Sequence, residues 1–206
     1  LSVGSPRTRR PRPAPLRPRP VAQLGVRRLT MPLRPLDDTS AADWYVEADA
    51  DWWTKVCLGP PGFDAYARLQ LIGHDDLARD TTSALRRVLP SSGAVYFGQW
   101  TGCGWEPPLQ PSRVAADLVG EVSPGVHDVV RDYHLFVGEL ADLSAWDELD
   151  VPHLMWPDNH AWFVAADVDP DWIGVGGSQE LIDELVDDER LDAECSTYEA
   201  TDWEDR

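Results

Sequence analysis

Residues 154–187, LMWPDNHAWFVAADVDPDWIGVGGSQELIDELVD, restrict the fold more than any other part of the chain. Within them, residues 161–166 (AWFVAA) are a nearly continuous apolar run bounded by turn residues, which reads as a buried strand. The acidic turn at 167–171 reverses the chain, and residues 172–175 (WIGV) return as a second strand. Gly176-Gly177 permits backbone angles closed to other residues, and Ser178 is a good N-cap for the helix that follows. Leu181, Ile182, Leu185 and Val186 form one apolar stripe on that helix, with Asp and Glu opposite. The segment is therefore a β-hairpin followed by a helix that lies across it.

The same periodicities extend the pattern upstream. Residues 52–58 (WWTKVCL) have the composition of a strand and end at the rigid turn Gly59-Pro60-Pro61-Gly62. Alternation of Phe63, Ala65, Ala67, Leu69 and Leu71 predicts a strand over 63–72. Asp75 or Asp76 then caps a helix reaching Leu89, ended by Pro90 and Gly93. Residues 94–100, 131–137 and 193–198 read as further strands, and 139–146 as a short acidic helix. The Pro-rich passage 106–124 is an excursion holding at most one short helix near 114–119. Strands and helices interleave with direct hairpins, which predicts an α+β domain. Its sheet is mixed, largely antiparallel, with about three helices packed on it.

Charge divides the chain. Residues 1–30 hold eight Arg, six Pro and no acid, so they offer neither a helix interior nor an apolar surface to bury. Taking those eight from the 18 basic residues leaves 10 against 36 acids, a net −26 for residues 31–206. Residues 1–35 are expected to be a disordered basic tail, with translation starting at Met31. Residues 36–198 form the domain, its ordered part beginning near Asp43, and 199–206 an acidic tail. Arg9-Arg10 is followed by no apolar run, so a twin-arginine signal is not indicated. The acidic body excludes nucleic acid and anionic membrane surfaces, which demand a basic face. Three well-separated cysteines, Cys57, Cys103 and Cys195, in no CxxC pair, point to free thiols in a cytoplasmic protein.

The chain resembles a group of actinobacterial hypothetical proteins in four ordered segments. These are PPGFDAYAR (60–68), WTGCGW (100–105), YHLFVGEL (133–140) and WPDNHAWFVAADVD (156–169) with its following GGS turn and helix. The resemblance spans about residues 51–192. It implies a bacterial cytoplasmic protein starting at Met31 and carries no established activity.

Each constellation that suggests chemistry has a plainer reading beside it. Asp167, Asp169 and Asp171 open like a calcium loop, but Trp172 stands where Gly is needed and Ser178 where the bidentate Glu belongs. The plainer reading is three solvated carboxylates on a turn. The Gly174–Ser178 run resembles an anion cradle at a helix start, yet it lacks a P-loop Lys and sits beside three acids. A strand-to-helix turn is simpler. Cys103 with His134 or His160 would supply a nucleophile and a base, but no motif joins them. His153 and His160 fall in a loop without ligand spacing. No cofactor or metal is expected.

Ten tryptophans are the most unusual feature. Large aromatics build cores, but several here adjoin Gly or Pro, where rings are often half exposed. Trp105 and Trp156 are expected to be exposed. The candidate interaction surface is Trp100, Trp105 and Trp156 with Asp158, His160, Asp167, Asp169 and Asp171. Two function classes remain. One is a non-catalytic binding domain, immunity- or regulator-like, for a basic or apolar protein partner. The other is a small hydrolase using Asp and His around a Trp-lined cleft.

Since residues 1–30 lack apolar surface to offset the cost of ordering, a chain beginning at Met31 should melt within a few degrees of the full chain. A larger drop in calorimetry would show that the segment packs against the domain.

Overall fold

The protein is described here from a computed structural model, which covers residues 33–71, 77–90, 93–103, 114–115, 131–146 and 151–198. In chain order the elements are β1 (Arg34–Pro35), α1 (Asp43–Val46), α2 (Trp52–Leu58), β2 (Ala65–Gln70), α3 (Leu77–Val88) and β3 (Val95–Trp100). They continue with β4 (Val114–Ala115), β5 (Tyr133–Gly138), β6 (Leu154–Pro157), β7 (Phe163–Ala165), β8 (Trp172–Gly177), α4 (Gln179–Asp187) and β9 (Ala193–Ser196). Short 3₁₀ segments lie at Ser40–Ala42, Thr101–Cys103 and Leu140–Trp146. All nine strands join one sheet in the order β1-β5-β3-β6-β7-β8-β2-β9, with β4 also on β5. Every described pairing is antiparallel. The architecture is α+β.

Side-chain alternation sends two sets of apolar residues to opposite faces. Ala67, Leu69, Val95, Phe97, Phe136, Met155, Val164, Ile173 and Val175 meet Leu85 and Val88 of α3 and Leu181, Ile182 and Leu185 of α4. Their neighbours Tyr133, Leu135, Leu154, Trp156, Phe163 and Ala165 meet Tyr45 of α1 and Trp53, Val56 and Cys57 of α2. An antiparallel sheet commonly faces water on one side; this one is covered on both. That explains why AWFVAA is a continuous apolar run where one-sided burial would give alternation.

The hairpin and helix of 154–187 form as the sequence indicates. Phe163, Val164 and Ala165 pair with Gly176, Val175 and Gly174, and Ser178 caps α4 by accepting from the Leu181 N–H at 3.2 Å. Leu181, Ile182 and Leu185 are buried, and the helix lies on β2, β8 and β9 together.

Several expectations need correction. Residues 52–58 are the helix α2, not a strand. Asp51 caps it, its carboxylate accepting from the Thr54 N–H at 2.9 Å and the Thr54 hydroxyl at 3.0 Å. Six of its seven residues are buried, so burial on all sides and a good cap override a β-rich composition. The ordered chain begins at least as early as Leu33, which is 1 % exposed, and Arg34–Pro35 pair with Val137 and Phe136. That places 34–35 in the sheet and Leu33 in the core, ahead of the expected boundary. Residues 154–157, left without an element by the sequence, form the wholly buried strand β6. Val114–Ala115 are a strand on β5, where a short helix was expected. The acidic segment after β5 winds as 3₁₀.

Gly176 and Gly177 are extended strand residues, so left-handed freedom is not their purpose; the described glycines with positive φ are Gly59, Gly62 and Gly93. At Gly174 the reason is contact. A Cβ there would run into the Cys57 carbonyl oxygen and lie 2.8 Å from Leu58 Cα, because the end of α2 rests directly on β8.

Two stability measurements follow. Gly174→Ala should cost at least the 1–3 kcal/mol typical of overpacking, roughly, since backbone must move to admit the methyl. Leu185→Ala should cost about 2–5 kcal/mol, and Asp187→Ala, on the exposed face, less than about 0.5 kcal/mol. Equal effects at 185 and 187 in denaturant titrations would contradict the placement of α4.

Candidate functional site

Antiparallel pairing brings the end of β3, the end of β7 and the starts of β5, β6 and β8 to one rim of the sheet, and the polar groups there are paired with each other. Arg131, 7 % exposed, donates from Nη2 to Asp167 Oδ1 at 3.2 Å and lies 3.7 Å from Asp169 Oδ2. Its guanidinium carbon stands 4.0 Å from the centroid of the Trp100 ring. Trp100 in turn meets His153 edge-on at 6.1 Å, and the Trp100 backbone N–H donates to His153 Nδ1 at 3.4 Å.

Burial governs the titration of these groups. It pushes the His153 pKa down to about 4, with the Arg131 charge adding to the effect. His153 is therefore neutral at pH 7, with Nδ1 accepting and the proton on Nε2. Burial raises the Asp167 carboxyl above its ordinary value, against the opposing pull of Arg131 and the Asp169 N–H. A general base works best with a pKa near the operating pH; His153 lies well below it, and Asp167 is engaged by Arg131. Chemically the cluster is a latch that ties the approach to β5 to the β7–β8 turn.

The other candidate region is the cover formed by α1, α2 and the turns around them. Lys55, the one lysine of the sequence, is turned inward at 6 % exposure. Its Nζ donates to the Val46 and Ala48 carbonyls at 2.9 and 3.0 Å, where a cation offsets the negative end of α1, and desolvation holds its pKa below the usual value. The carboxylates of this segment face the other way: Asp37, Asp38, Asp43, Glu47, Asp49 and Asp51 are all exposed. Among them sit two half-buried indoles, Trp44 and Trp52. Trp44 stacks on His160 at 4.0 Å and 13°, with Trp156 and Phe163 beneath it in edge contacts at 6.4 and 5.8 Å.

The residues singled out from the sequence do not form one surface. Asp158 and His160 are exposed at the β6–β7 turn beside Trp44. Trp100, Asp167, Asp169 and Asp171 lie at the opposite rim. Trp156, expected to be exposed, is 0 % exposed, because it is a β6 residue facing the α1–α2 cover, stacked between Tyr96 and Phe163. Asp167 is not a solvated turn residue; it is 8 % exposed and salt-bridged. Trp105 and the Cys103 side chain lie outside the described residues. No cluster of three or more His, Cys, Asp or Glu suited to a metal ion occurs among the described residues, nor any helix long and apolar enough to cross a membrane. Trp44, Trp52 and the acids of 37–51 were missed, although DWYVEADADWW (43–53) shows acids and indoles interleaved. Reading its last two residues as the start of a strand hid them.

No protein-family model matches the chain, and neither a curated protein nor a solved structure matches it.

The His153 shift sets a pH dependence. As pH falls from 6.5 to about 4 the unfolded chain takes up a proton at this site before the folded one does. The stability contribution is therefore whole above pH 6.5 and is lost through that window. At about 1.4 kcal/mol per unit the loss is on the order of 3 kcal/mol. Asp167 acts in the opposite sense above its ordinary value, because the folded state keeps its proton longer. His153→Asn, whose amide oxygen replaces the Nδ1 acceptor, should therefore flatten the profile between pH 6.5 and 4. An unchanged profile in urea titrations would mean that His153 is not the group responsible. Removing one partner of the buried pair, by Asp167→Asn or Arg131→Met, should cost about 3–5 kcal/mol.

Proposed function

We propose that the protein is a non-catalytic interaction domain that recruits a basic protein segment onto the α1–α2 cover. The observation that carries this reading is the separation of charge in that cover. Its one cation is buried on backbone carbonyls, while six carboxylates are exposed beside two half-buried indoles. A face of one sign speeds encounter with an opposite charge, and partly exposed indoles are the residue type that most often anchors an interface. The alternative, a hydrolase built on Asp and His, is less well supported. Its best-placed groups, Asp167 and His153, are already engaged by Arg131 and the Trp100 backbone.

Rim carboxylates act mainly on the association rate. Binding of a mixed Lys/Arg peptide, followed by surface plasmon resonance, should slow in association by about tenfold or more from low to physiological salt. Dissociation should change little. Asp43→Asn, Glu47→Gln and Asp49→Asn together should weaken binding, whereas Glu180→Gln, Glu184→Gln and Asp187→Asn on α4 should not. Equal weakening by the two sets would mean that net charge alone attracts the peptide and would overturn the assignment to this face.

A further inference from the structure

The same face carries a preference between the two cationic side chains. Resting on the reading just given, we infer that the α1–α2 cover selects arginine over lysine: its partner is a guanidinium-rich segment laid against Trp44 and Trp52 and held by Asp43, Glu47 and Asp49.

The chain's own packing supplies the chemistry. Two arginines on the α1–α2 side of the sheet stand over indoles. Arg131 Cζ is 4.0 Å from the Trp100 centroid, with two carboxylates at its Nη2, and Arg68 Cζ is 4.5 Å from the Trp172 centroid. An indole beneath is thus how this side of the sheet holds both guanidiniums, and at Arg131 carboxylates stand at the edge as well. Its one ammonium is treated differently. Lys55 stands 5.7 Å from the Tyr45 centroid and is satisfied as a point charge by two carbonyls. The outer surface of the cover offers the first arrangement. Trp44 already accepts a flat nitrogen ring, His160, at 4.0 Å, and Asp43 and Glu47 flank it in sequence, as Asp51 does Trp52.

The physical basis is the difference between the cations. Guanidinium is planar and weakly hydrated, so it stacks on an indole at small desolvation cost while its N–H fork still reaches carboxylates. Ammonium is compact and strongly hydrated, and it gains chiefly from charge. Carboxylates alone would barely discriminate between them; stacking on two indoles does.

Octa-arginine and octa-lysine carry the same charge and separate the two contributions. They are titrated by fluorescence anisotropy into the full chain. The titration is repeated with the eight arginines of residues 1–30 changed to Gln, so that no guanidinium competes in cis. Octa-arginine should bind about five- to tenfold tighter. Trp44→Leu with Trp52→Leu should bring the ratio near one while octa-lysine binding is kept. Asp43→Asn with Glu47→Gln should weaken both peptides and keep the ratio, a readout that remains should the indole pair prove needed for folding. Equal affinities for the two peptides overturn the arginine preference and leave the basic-partner reading standing. Binding of neither removes both. A preference that survives loss of both indoles, in a protein that melts normally, places it elsewhere and overturns the assignment.

Discussion

Helix α2 can lie on the sheet only because β8 has no side chain where it lands. With hydrogen at Gly174, the Cys57 carbonyl and Leu58 Cα reach the strand backbone itself. The chain then leaves the helix through Gly59 at φ +86°, where a Cβ would strike the Phe163 ring. Much else follows from this approach. It closes the second face of the sheet, buries Trp53, Val56 and Cys57 against Leu154, Phe163 and Ala165, and sets the depth at which α1 packs. Lys55 is then carried under α1, within reach of the Val46 and Ala48 carbonyls. The acidic cover is thus a consequence of backbone packing as well as of composition.

Charge in this molecule is handled in two ways. Inward cations are each given a neighbour, Arg131 the Asp167 carboxylate and the Trp100 ring, Arg68 the Trp172 ring, and Lys55 two carbonyls. Outward carboxylates stay exposed, and residues 37–51 hold six of them with no Lys or Arg. A buried ion pair is weak evidence of stability, since desolvation offsets much of its attraction. The Arg131–Asp167 pair is better understood as specifying which strand ends meet at the rim. Within the acidic cover Asp51 caps α2 and Asp38 accepts from the Ser40 N–H; the exposed Asp43, Glu47 and Asp49 are where we read function.

The candidate site was partly legible. Acids interleaved with tryptophans at 43–53 stand in plain view, yet composition assigned its last two residues, Trp52 and Trp53, to a strand, and a strand would have pointed alternate residues into the core. In the other direction, Trp156 sits beside Pro157 and Asp158 and looked like a turn residue. It is buried because β6 is an interior strand of a sheet covered on both faces, a neighbourhood set by β3 and β7 rather than by adjacent residues. Asp167 belongs to a run of three alternating acids, and only the arrival of Arg131, 36 positions earlier, distinguishes it from the exposed Asp169 and Asp171.

By itself the sequence determined what depends on neighbours along the chain. This includes the β7–β8 hairpin, the Ser178 cap, the apolar stripe of α4, most strands, the α+β class, and the division between a basic segment and an acidic body. These follow from periodicity, caps and turn chemistry, which act over a few residues. Tertiary structure alone decided that the sheet is buried on both faces, that residues 52–58 coil, that 34–35 and 154–157 join the sheet, and that glycine at 174 serves contact. It also decided which carboxylate is buried and which indoles reach the surface. Each of those depends on which distant segment arrives to exclude water, and local pattern carries no record of that.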